Sequence, residues 1–348
     1  MTPSARQIAF DVLLRTANGA FAGDLLDAAS RGLDSREAGL ASEIVFGCLR
    51  RQTELDFLID HFAGKPARLD LEVRVAMRMG VYQIRHLDKI PAHAAVSESV
   101  DLVKRAKKRS ASGYVNAVLR KVNRDLVRFP NRAVRLSCPE WLLAKWDAES
   151  RNAEGIAEAF QQPPEKFFVG ERQQDIGAQS IVPLLELEPG NTFLDLCAAP
   201  GNKTLQAIEA GVHAVACDIH FHRIRQVPVT DRVQLDGTTA LPFSRKFDRI
   251  LVDAPCSGTG TLGRNPEIRW RIQPSDLTEL HEKQTRLLRN ALEVLSPGGI
   301  LVYSTCSLER EENEDVVTEV TGVKQVNTFR RTPGQDPGDG FFAAVIRS

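Results

Sequence analysis

The amino-acid sequence predicts an α/β protein in which an all-helical domain precedes an open, mostly parallel, doubly wound β-sheet. Two observations lead to this prediction. Up to about residue 140, apolar residues recur at helical spacing, and beyond about Pro163 short apolar runs alternate with helical segments. We therefore expect a helical domain over residues 1–140, a linker over 141–175 and the sheet domain over 176–348.

The first part of the chain carries the helical pattern from its start. Ala5, Ile8, Ala9, Val12 and Leu13 fall on one helical face. Further helices are predicted in EIVFGCLRRQTELDFLIDHF, LEVRVAMRMGVYQIRHL, AHAAVSESVDLVKRAKK and SGYVNAVLRKVNRDL. Serine is a common N-cap residue, so Ser112 is expected to cap the last of these.

The second part of the chain has the alternation of a parallel sheet. The predicted strands are TFLDLC (192–197), HAVACD (213–218), RVQLD (232–236), FDRILVD (247–253) and ILVYSTC (300–306), with GFFAAVIR as a closing edge strand. A long helix is predicted from Ser275 to Leu295, stopped by a Pro-Gly-Gly turn, and another in EENEDVVTEV. Ligands of such sheets bind at the carboxyl ends of the strands, where the motifs of this chain cluster.

The distribution of basic residues bears on whether the protein binds nucleic acid. The formal net charge is zero, but eleven basic residues lie between Asp101 and Arg135: Lys104, Arg105, Lys107, Lys108, Arg109, Arg120, Lys121, Arg124, Arg128, Arg132 and Arg135. This run either binds a phosphate backbone or forms a solvated helix face, and both interpretations stay open.

Cysteine usage and hydropathy indicate where the protein works. The six cysteines form no CxxC pair and have no histidine partners at zinc spacing, so we expect reduced thiols and no metal site. MTPSARQIAF lacks the apolar core of a signal peptide, and no apolar run is long enough for a membrane span. We expect a cytoplasmic protein.

The loop DLCAAPGNKT (195–204) is the first candidate ligand site. It joins a strand to a helix through small residues, which let a ligand approach the backbone and the free N–H groups at the helix start. It has neither the GxGxxG pattern nor the phosphate-loop spacing. Asp218 and Asp236 end the next two strands, where carboxylates can bind ribose hydroxyls and an adenine amino group, although either could be an ordinary loop carboxylate. Together these features favour an adenosine-type cofactor, S-adenosylmethionine.

Two cysteines follow the ends of later strands, in VDAPCSGTG and STCS. If their strands are neighbours, about 4.8 Å apart, Cys256 and Cys306 face one pocket. A thiolate beside a methyl donor suits methylation at carbon 5 of a pyrimidine, because addition at carbon 6 makes carbon 5 nucleophilic. Asp253 is the candidate acid that stabilises the pyrimidine ring. Spacing alone does not decide which cysteine attacks.

These motifs resemble those of the RNA 5-methylcytosine methyltransferases, specifically the bacterial 16S ribosomal RNA cytosine-5 methyltransferase B group. DLCAAPGNKT, DAPCSGTGTLGRNPEIRW, STCSLEREENE and DGFFAAVIR are similar to its methyltransferase motifs. ARQIAFDVLL, FGCLRR, IPAHAAVSESVDLVK and GYVNAVLRKVNR resemble the attached NusB-type RNA-binding domain. The resemblance implies a Rossmann-like methyltransferase sheet behind a NusB-like helical domain, acting on 16S ribosomal RNA.

The resemblance also implies a role for each site residue. Cys306 is the nucleophile and Cys256 the cysteine of the release step. S-adenosylmethionine is bound by the loop and by three acids: Cys197, Ala198, Ala199, Pro200, Gly201, Asn202, Lys203, Asp218, Asp236 and Asp253. RNA is held by the basic run over residues 104–135 and by the catalytic cleft. DNA cytosine-5 methyltransferases, by contrast, attack with the Pro-Cys thiol.

Three departures from the family pattern stand out. Asn202 replaces the second glycine of the usual PGGK loop, and asparagine is expected to tolerate a left-handed backbone there. The segment between Asp218 and Asp236 leaves little room for a helix. Only QQPPEKFFVGERQQD stands where the family carries a small RNA-recognition subdomain. These departures motivate an alternative, an RNA-binding ribosome-assembly factor with a degenerate cofactor site. A small-molecule methyltransferase would leave the helical part unexplained.

Two further charged clusters follow the two cysteines in the sequence. Glu311, Glu312 and Glu314 are interpreted as a solvated acidic first turn, which the helix dipole favours. Arg264, Arg269 and Arg271 surround Trp270, and this stretch is either an RNA-facing loop or, for the tryptophan, part of a core.

Overall fold

A computed structural model describes residues 3–66, 68–322 and 326–348. The chain forms two compact units. The first comprises Met1–Pro163 and the short segment Leu262–Trp270, and the second comprises Pro164–Thr261 and Arg271–Ser348.

The first unit is helical throughout. Its helices are α1 (Ala5–Ala17), α2 (Ala22–Ala29), α3 (Ser35–Arg50), α4 (Gln52–Ala63), α5 (Leu71–His86), α6 (Ala92–Arg105), α7 (Ser112–Leu119), α8 (Arg132–Leu136), α9 (Glu140–Ala148) and α10 (Ala153–Ala159). The apolar faces of α1 to α7 build one core, in which α5 contributes Met77, Met79 and Val81. α2 was not among the predicted helices, and the helical stretch predicted over 43–62 divides at Arg51 into α3 and α4.

The predicted cap of α7 is wrong. Ser112 is the first helical residue, Ala111 occupies the N-cap position, and no side chain caps this end. The preceding 3₁₀ turn Arg109–Ala111 runs directly into the helix, so the chain is already helical before the serine is reached.

The second unit contains the sheet. Its elements are the hairpin strands β1 (Phe168–Val169) and β2 (Arg172–Gln173), followed by α11 (Ile176–Gln179), β3 (Thr192–Asp195), α12 (Asn202–Ile208), β4 (His213–Asp218), α13 (Phe221–Ile224), β5 (Asp231–Gln234), β6 (Phe247–Asp253), α14 (Pro274–Glu293), β7 (Leu295–Thr305), α15 (Glu314–Thr321), β8 (Asn327–Arg331) and β9 (Phe341–Arg347). The seven-stranded sheet has the order β5-β4-β3-β6-β7-β9-β8. β3 to β7 pair in parallel, and β9 pairs antiparallel with both of its neighbours.

Both faces of the sheet are covered, which explains the continuous apolar runs of its central strands. Ile250 and Val252 of β6 pack on the face that also holds Leu287 and Leu288 of α14. The residue between them, Leu251, lies in a separate apolar cluster on the opposite face. The predicted doubly wound α/β architecture is confirmed.

One strand prediction is wrong in its position. GFFAAVIR was expected at the edge, but β9 lies between β7 and β8, and β8 forms the edge. The physical reason is visible in the sequence of each strand: Phe341 to Ala344 are all buried, whereas β8 is a short, polar stretch suited to solvent. The four-residue α13 confirms that the chain between Asp218 and Asp236 has little room for a helix.

Candidate active site

The DLCAAPGNKT loop joins the end of β3 to the start of α12 at the carboxyl edge of the sheet. The Ala198 amide donates to the carbonyl of Cys217 on β4, at 2.8 Å, which holds the loop against the next strand. Gly201 has φ +106° and sits at the N-cap of α12, and a Cβ there would lie 3.0 Å from Val227 Cγ1. The left-handed residue is therefore Gly201, and the expectation that Asn202 adopts that backbone is wrong, because Asn202 is the first residue of α12.

A cavity opens beside this loop. It is lined by Gln174, Ala178, Asp195, Cys197, Ala198, Ala199, Pro200, Asn202, Lys203 and Asp253. Six of the seven loop residues proposed to bind the cofactor thus line one space, together with the predicted acid Asp253. Gln174, Ala178 and Asp195 were missed. Asp195 could have been recognised as the last residue of a strand, but no periodicity or motif in the sequence marks Gln174.

Two buried polar side chains face this cavity without full hydrogen bonding. Asp195 is 1% exposed, and its Oδ2 accepts from Thr204 Oγ1 at 2.6 Å while its Oδ1 has no partner among the described residues. Neither amide atom of the buried Gln174 has a partner within the described chain. Burial, with the charge of Asp253, raises the pKa of Asp195 to about 7. Such unsatisfied groups cost free energy unless a ligand pairs with them.

The donor and acceptor set fits S-adenosylmethionine. A carboxylate oxygen and a side-chain amide suit the ammonium and carboxylate of its methionine portion. Asp218 ends β4, is buried, and accepts from the His220 amide at 2.8 Å. Asp236 is exposed and accepts from the Thr238 amide and hydroxyl, which lower its pKa. Asp218 and Asp236 do not line the cavity, and their roles stay predictions.

Lys203 and Asp253 link the cavity to the end of β7. Lys203 Nζ lies 2.6 Å from Asp253 Oδ2, and Ser304 Oγ donates to Asp253 Oδ1 at 2.8 Å. Burial lowers the pKa of Lys203, but the carboxylate of Asp253 more than offsets it and leaves this pKa raised. Lysine and aspartate therefore form a half-buried ion pair.

The two cysteines meet as the strand order requires. β6 and β7 are neighbours, with Asp253 paired to Ser304, so the two turns that follow begin side by side. Cys256 Sγ lies 3.3 Å from Cys306 Sγ, and both residues are half-buried. The hydrogen bond to Cys306, together with burial, raises the pKa of the Cys256 thiol well above its usual value. Cys48, Cys138 and Cys217 are buried, as expected of small apolar residues.

The acidic segment after Cys306 is not the solvated turn that the sequence predicted. Glu312 is 0% exposed and its carboxylate binds the turns of both cysteines. A 3₁₀ turn at Arg310–Glu312 directs this side chain inward, whereas Glu311 and Glu314 are half-buried. The first-turn dipole argument fails for Glu311 and Glu312, because α15 begins only at Glu314, which does lie in its first turn.

The arginine-rich stretch after Cys256 belongs to the helical unit. Arg269 is 1% exposed and donates to the carbonyls of Ser137 and Leu262, at 2.9 and 2.8 Å. Trp270 Nε1 donates to the carbonyl of Leu49 at 3.3 Å. The RNA-facing interpretation is wrong for Arg269, which instead satisfies buried backbone carbonyls. Trp270 is half-buried, and its role stays a prediction.

The basic run divides into paired and unpaired residues. Six of its members form ion pairs with acids, most of them from other parts of the first unit: Lys104, Arg105, Lys108, Arg124, Arg132 and Arg135. The other five are exposed and have no acidic partner within the described ranges: Lys107, Arg109, Arg120, Lys121 and Arg128. The helices that the structure describes include none with the length and apolarity of a membrane span.

Comparison with known proteins identifies the family. The family model described as 16S rRNA methyltransferase RsmB/F matches residues 182–337, and that of the NusB family matches residues 3–124. Ribosomal RNA small subunit methyltransferase B of Cronobacter sakazakii is 30% identical over 392 aligned residues, covering 90% of this chain and 91% of the relative. The protein of the same name from Klebsiella pneumoniae has the same identity and coverage.

Solved structures support the fold. The crystal structure of PH0851 has a TM-score of 0.77 and 21% identity, covering 98% of this chain and 97% of that one. A methyltransferase homolog protein from Pyrococcus horikoshii has a TM-score of 0.53 and 24% identity, covering 62% of this chain and 97% of that one. The methyl donor of the matched family is S-adenosylmethionine, so the predicted cofactor is confirmed from the family match. The chain belongs to the 16S rRNA methyltransferase RsmB/F family.

Proposed function

We propose that this protein methylates carbon 5 of a cytosine in small-subunit ribosomal RNA, through a transient bond between Cys306 and carbon 6 of the base. The observation that carries the proposal is the pair of thiols 3.3 Å apart at the ends of neighbouring strands, next to the Lys203–Asp253 ion pair. The RNA substrate is inferred from the names of the relatives, and the covalent step is inferred from the two neighbouring thiols.

A thiol is needed because carbon 5 of cytosine is a weak nucleophile. When a thiolate adds to carbon 6, the electron pair of the 5,6 double bond moves toward carbon 5, which can then attack an electrophilic methyl group. A base afterwards removes the proton from carbon 5, the double bond reforms, and the cysteine leaves as a thiolate. One cysteine makes the bond, and a second group near its sulfur assists departure.

We assign attack to Cys306 and assistance to Cys256. In this assignment Cys256 keeps its proton and donates the hydrogen bond between the two sulfurs, which lie 3.3 Å apart. Cys306 is then the sulfur that receives this hydrogen bond, which stabilises its thiolate before attack and again when it leaves the base. The family resemblance supports the same assignment.

Asp253 and Lys203 are proposed to bind the polar edge of the cytosine. The carboxylate of Asp253 can accept from the 4-amino group, and the Lys203 ammonium stabilises the negative charge that develops on the ring when the thiolate adds. Ser304, two residues before the nucleophile, fixes Asp253 with its hydrogen bond.

S-adenosylmethionine supplies an electrophilic methyl group when bound. The residues proposed to hold it are the loop Cys197–Lys203, with Asp195 and Gln174 at the methionine portion and Asp218 and Asp236 at the ribose and adenine. The small residues of the loop allow close approach of the ligand to the backbone.

The helical unit is proposed to bind the RNA through the five unpaired basic residues of the run 104–135. Exposed, unpaired cations can neutralise phosphates without first giving up an internal ion pair. The target cytosine must leave its stack to reach a half-buried thiol, so an unpaired or flipped base is expected.

The central experiment compares two cysteine variants on ribosomal RNA with S-adenosylmethionine. Cys256→Ala is expected to accumulate a covalent protein–RNA adduct, seen as a shifted band on a denaturing gel. Cys306→Ala is expected to form no adduct and to lose at least about 10³-fold in methylation rate, because the covalent step is gone. Bisulfite sequencing of the wild-type product checks the position of the methyl group. A fully active Cys306→Ala enzyme contradicts the assignment.

An RNA-binding assembly factor without methyltransferase activity is the alternative. The alignment with the Cronobacter relative, 392 residues long, exceeds the 348 residues of this chain, so the relative has stretches that this chain lacks. Binding of ribosomal RNA without heat of S-adenosylmethionine binding in calorimetry would favour this alternative. The two thiols beside a cavity with unsatisfied buried polar groups favour the enzyme.

A further inference from the structure

Glu312 is a buried carboxylate to which neither the fold nor the cofactor loop assigns a role. It lies six residues after Cys306, is 0% exposed, and belongs to the 3₁₀ turn before α15. An ionised carboxylate is costly to bury unless several donors surround it. The donors around Glu312 come from both cysteine turns.

On one side the carboxylate binds the turn of Cys256. Ser257, the next residue after this cysteine, donates its amide to Glu312 Oε1 at 2.7 Å and its hydroxyl to Glu312 Oε2. Gln284 of α14 donates from Nε2 both to Glu312 Oε1, at 3.0 Å, and to the carbonyl of Pro255, at 2.9 Å. The residues before and after Cys256 are therefore both tied to this group.

On the other side the same carboxylate binds the turn of Cys306. Ser307, the next residue after this cysteine, donates its hydroxyl to Glu312 Oε2. The two serine hydroxyls lie 3.1 Å apart, so one carboxylate oxygen joins the residues that directly follow both thiols.

The backbone that carries Glu312 is itself held in place. Tyr303 of β7 donates its hydroxyl to the Glu312 carbonyl at 2.6 Å. The neighbouring Asn313, also 0% exposed, accepts from Thr305 Oγ1 and donates from Nδ2 to the Ser307 carbonyl at 3.0 Å. The carboxylate cannot move without breaking bonds to β7 and to the turn of the nucleophile.

We propose that Glu312 is a positioning residue that sets the spacing of the Cys256 and Cys306 sulfurs by binding Ser257 and Ser307 with one carboxylate. This deepens, and rests on, the proposed function, in which the thiols act as a pair. Its charge has a second consequence: it contributes to the raised pKa of Cys256 and so helps to keep this thiol protonated. Glu312 touches neither sulfur through a hydrogen bond and acts through the serines.

The spacing can be tested without RNA or cofactor. Phenylarsine oxide condenses with two neighbouring thiols, forming two arsenic–sulfur bonds and releasing water, without oxidation of either partner. The wild-type protein is expected to bind it at the Cys256–Cys306 pair, and Cys256→Ala or Cys306→Ala to lose that site. Glu312→Ala is expected to weaken this binding about tenfold or more, because the distance between the two sulfurs is no longer fixed.

Glu312→Gln separates the hydrogen bonds from the charge. Glutamine can accept from the Ser257 amide and donate to the serine hydroxyls, so arsenical binding and methylation are expected to recover most of what alanine loses. Removal of the negative charge lowers the pKa of Cys256, so its alkylation by iodoacetamide, followed by mass spectrometry, is expected to rise at lower pH than in the wild type. Glu319→Gln, an exposed carboxylate of α15, is the matched control and is expected to change neither property.

The outcomes divide cleanly. Arsenical binding as tight in folded Glu312→Ala as in the wild type overturns the proposal, as does a glutamine variant as weak as alanine. If the alanine variant does not fold, Ser307→Ala removes the Cys306 side of the contact alone and is expected to weaken arsenical binding several-fold; unchanged binding overturns the proposal. Because this assay needs no methylation, failure of the proposed function leaves its result interpretable.

Discussion

The two halves of the candidate site hold their buried carboxylates in opposite ways. In the thiol turns, which follow β6 and β7, both oxygens of Glu312 are fully engaged by side-chain and backbone donors. Beside the cofactor loop, Asp195 has one oxygen engaged by Thr204 and one with no partner among the described residues. Glu312 therefore fixes the geometry of the protein, whereas Asp195 can still accept a hydrogen bond from a ligand.

The two carboxylates differ in how their burial affects the free energy of the protein. A satisfied buried carboxylate holds the chain around it rigidly, which suits two thiols that are proposed to act on the same base. An unsatisfied one costs stability in the free protein and recovers that cost when a cation binds. The unpaired oxygen of Asp195 and the unpaired amide of Gln174 both line the same cavity and therefore indicate where a ligand binds.

The largest expected effect concerns the rigidity of the thiol turns. A Cβ on Gly260 would lie 2.4 Å from the Gly340 carbonyl oxygen and 2.7 Å from that of Cys306, both backbone atoms. Gly260→Ala is expected to lower the free energy of unfolding by about 3 kcal/mol or more, because neither backbone can retreat. Urea unfolding followed by circular dichroism measures this change.

Gly201→Ala in the cofactor loop is the matched variant. Its φ of +106° disfavours alanine by about 1–2 kcal/mol, and its nearest neighbour is a side chain that can shift. A loss at Gly201 equal to that at Gly260 would contradict the contrast between a rigid and an adaptable half of the site.

The second prediction concerns Asp195→Asn. The amide can still accept from Thr204 but cannot pair with an ammonium, so S-adenosylmethionine is expected to bind about tenfold more weakly in calorimetry at pH 8. Without cofactor the same variant is expected to unfold at higher urea concentration at pH 8, because it buries no charge. A stability lower than that of the wild type would contradict this interpretation of the unpaired oxygen.

The pH dependence of the same variant provides its control. The folded-state pKa of Asp195, about 7, lies above its unfolded value of about 3.9, so folding takes up a proton between these pH values. Its contribution to stability is present below pH 4, falls as the pH rises, and is lost above pH 7. The proposed pairing of Asp195 with the cofactor ammonium needs the ionised carboxylate, so wild-type affinity is expected to fall between pH 8 and pH 6, whereas that of Asp195→Asn is expected to stay constant.

The smallest expected effect extends the comparison to the surface of the helical unit. Lys121 and Arg128 are exposed without acidic partners within the described residues, whereas Arg132 lies 2.8 Å from Glu140 and 2.6 Å from Asp147. Lys121→Ala with Arg128→Ala is expected to weaken RNA binding a few-fold and to lower the slope of log affinity against log salt by about one per lost phosphate contact. Filter binding at several salt concentrations measures both. Arg132→Ala is expected to have little effect, and an equal loss would refute the distinction.

Local patterns were sufficient to predict much of this molecule. Apolar periodicity predicted the helical region and the order of strands and helices. The 3.6-residue repeat of an amphipathic helix and the apolar run of a strand buried on both faces each appear within a few consecutive residues. The turn chemistry of DLCAAPGNKT and the position of each cysteine after a strand predicted the cofactor loop and the paired thiols. Parallel neighbours bring their carboxyl ends together, so this part of the site follows from topology alone.

Other features depended on contacts between residues distant in the chain. Glu312 looked like a solvated residue until the turn 55 positions earlier supplied its donors, and Gln174 carries no signal that directs it to the cavity. Arg269 is buried because its segment packs among helices more than a hundred residues away in sequence. The exposure of a polar side chain is set by what packs against it, and a sequence pattern records only the residue's own neighbours along the chain.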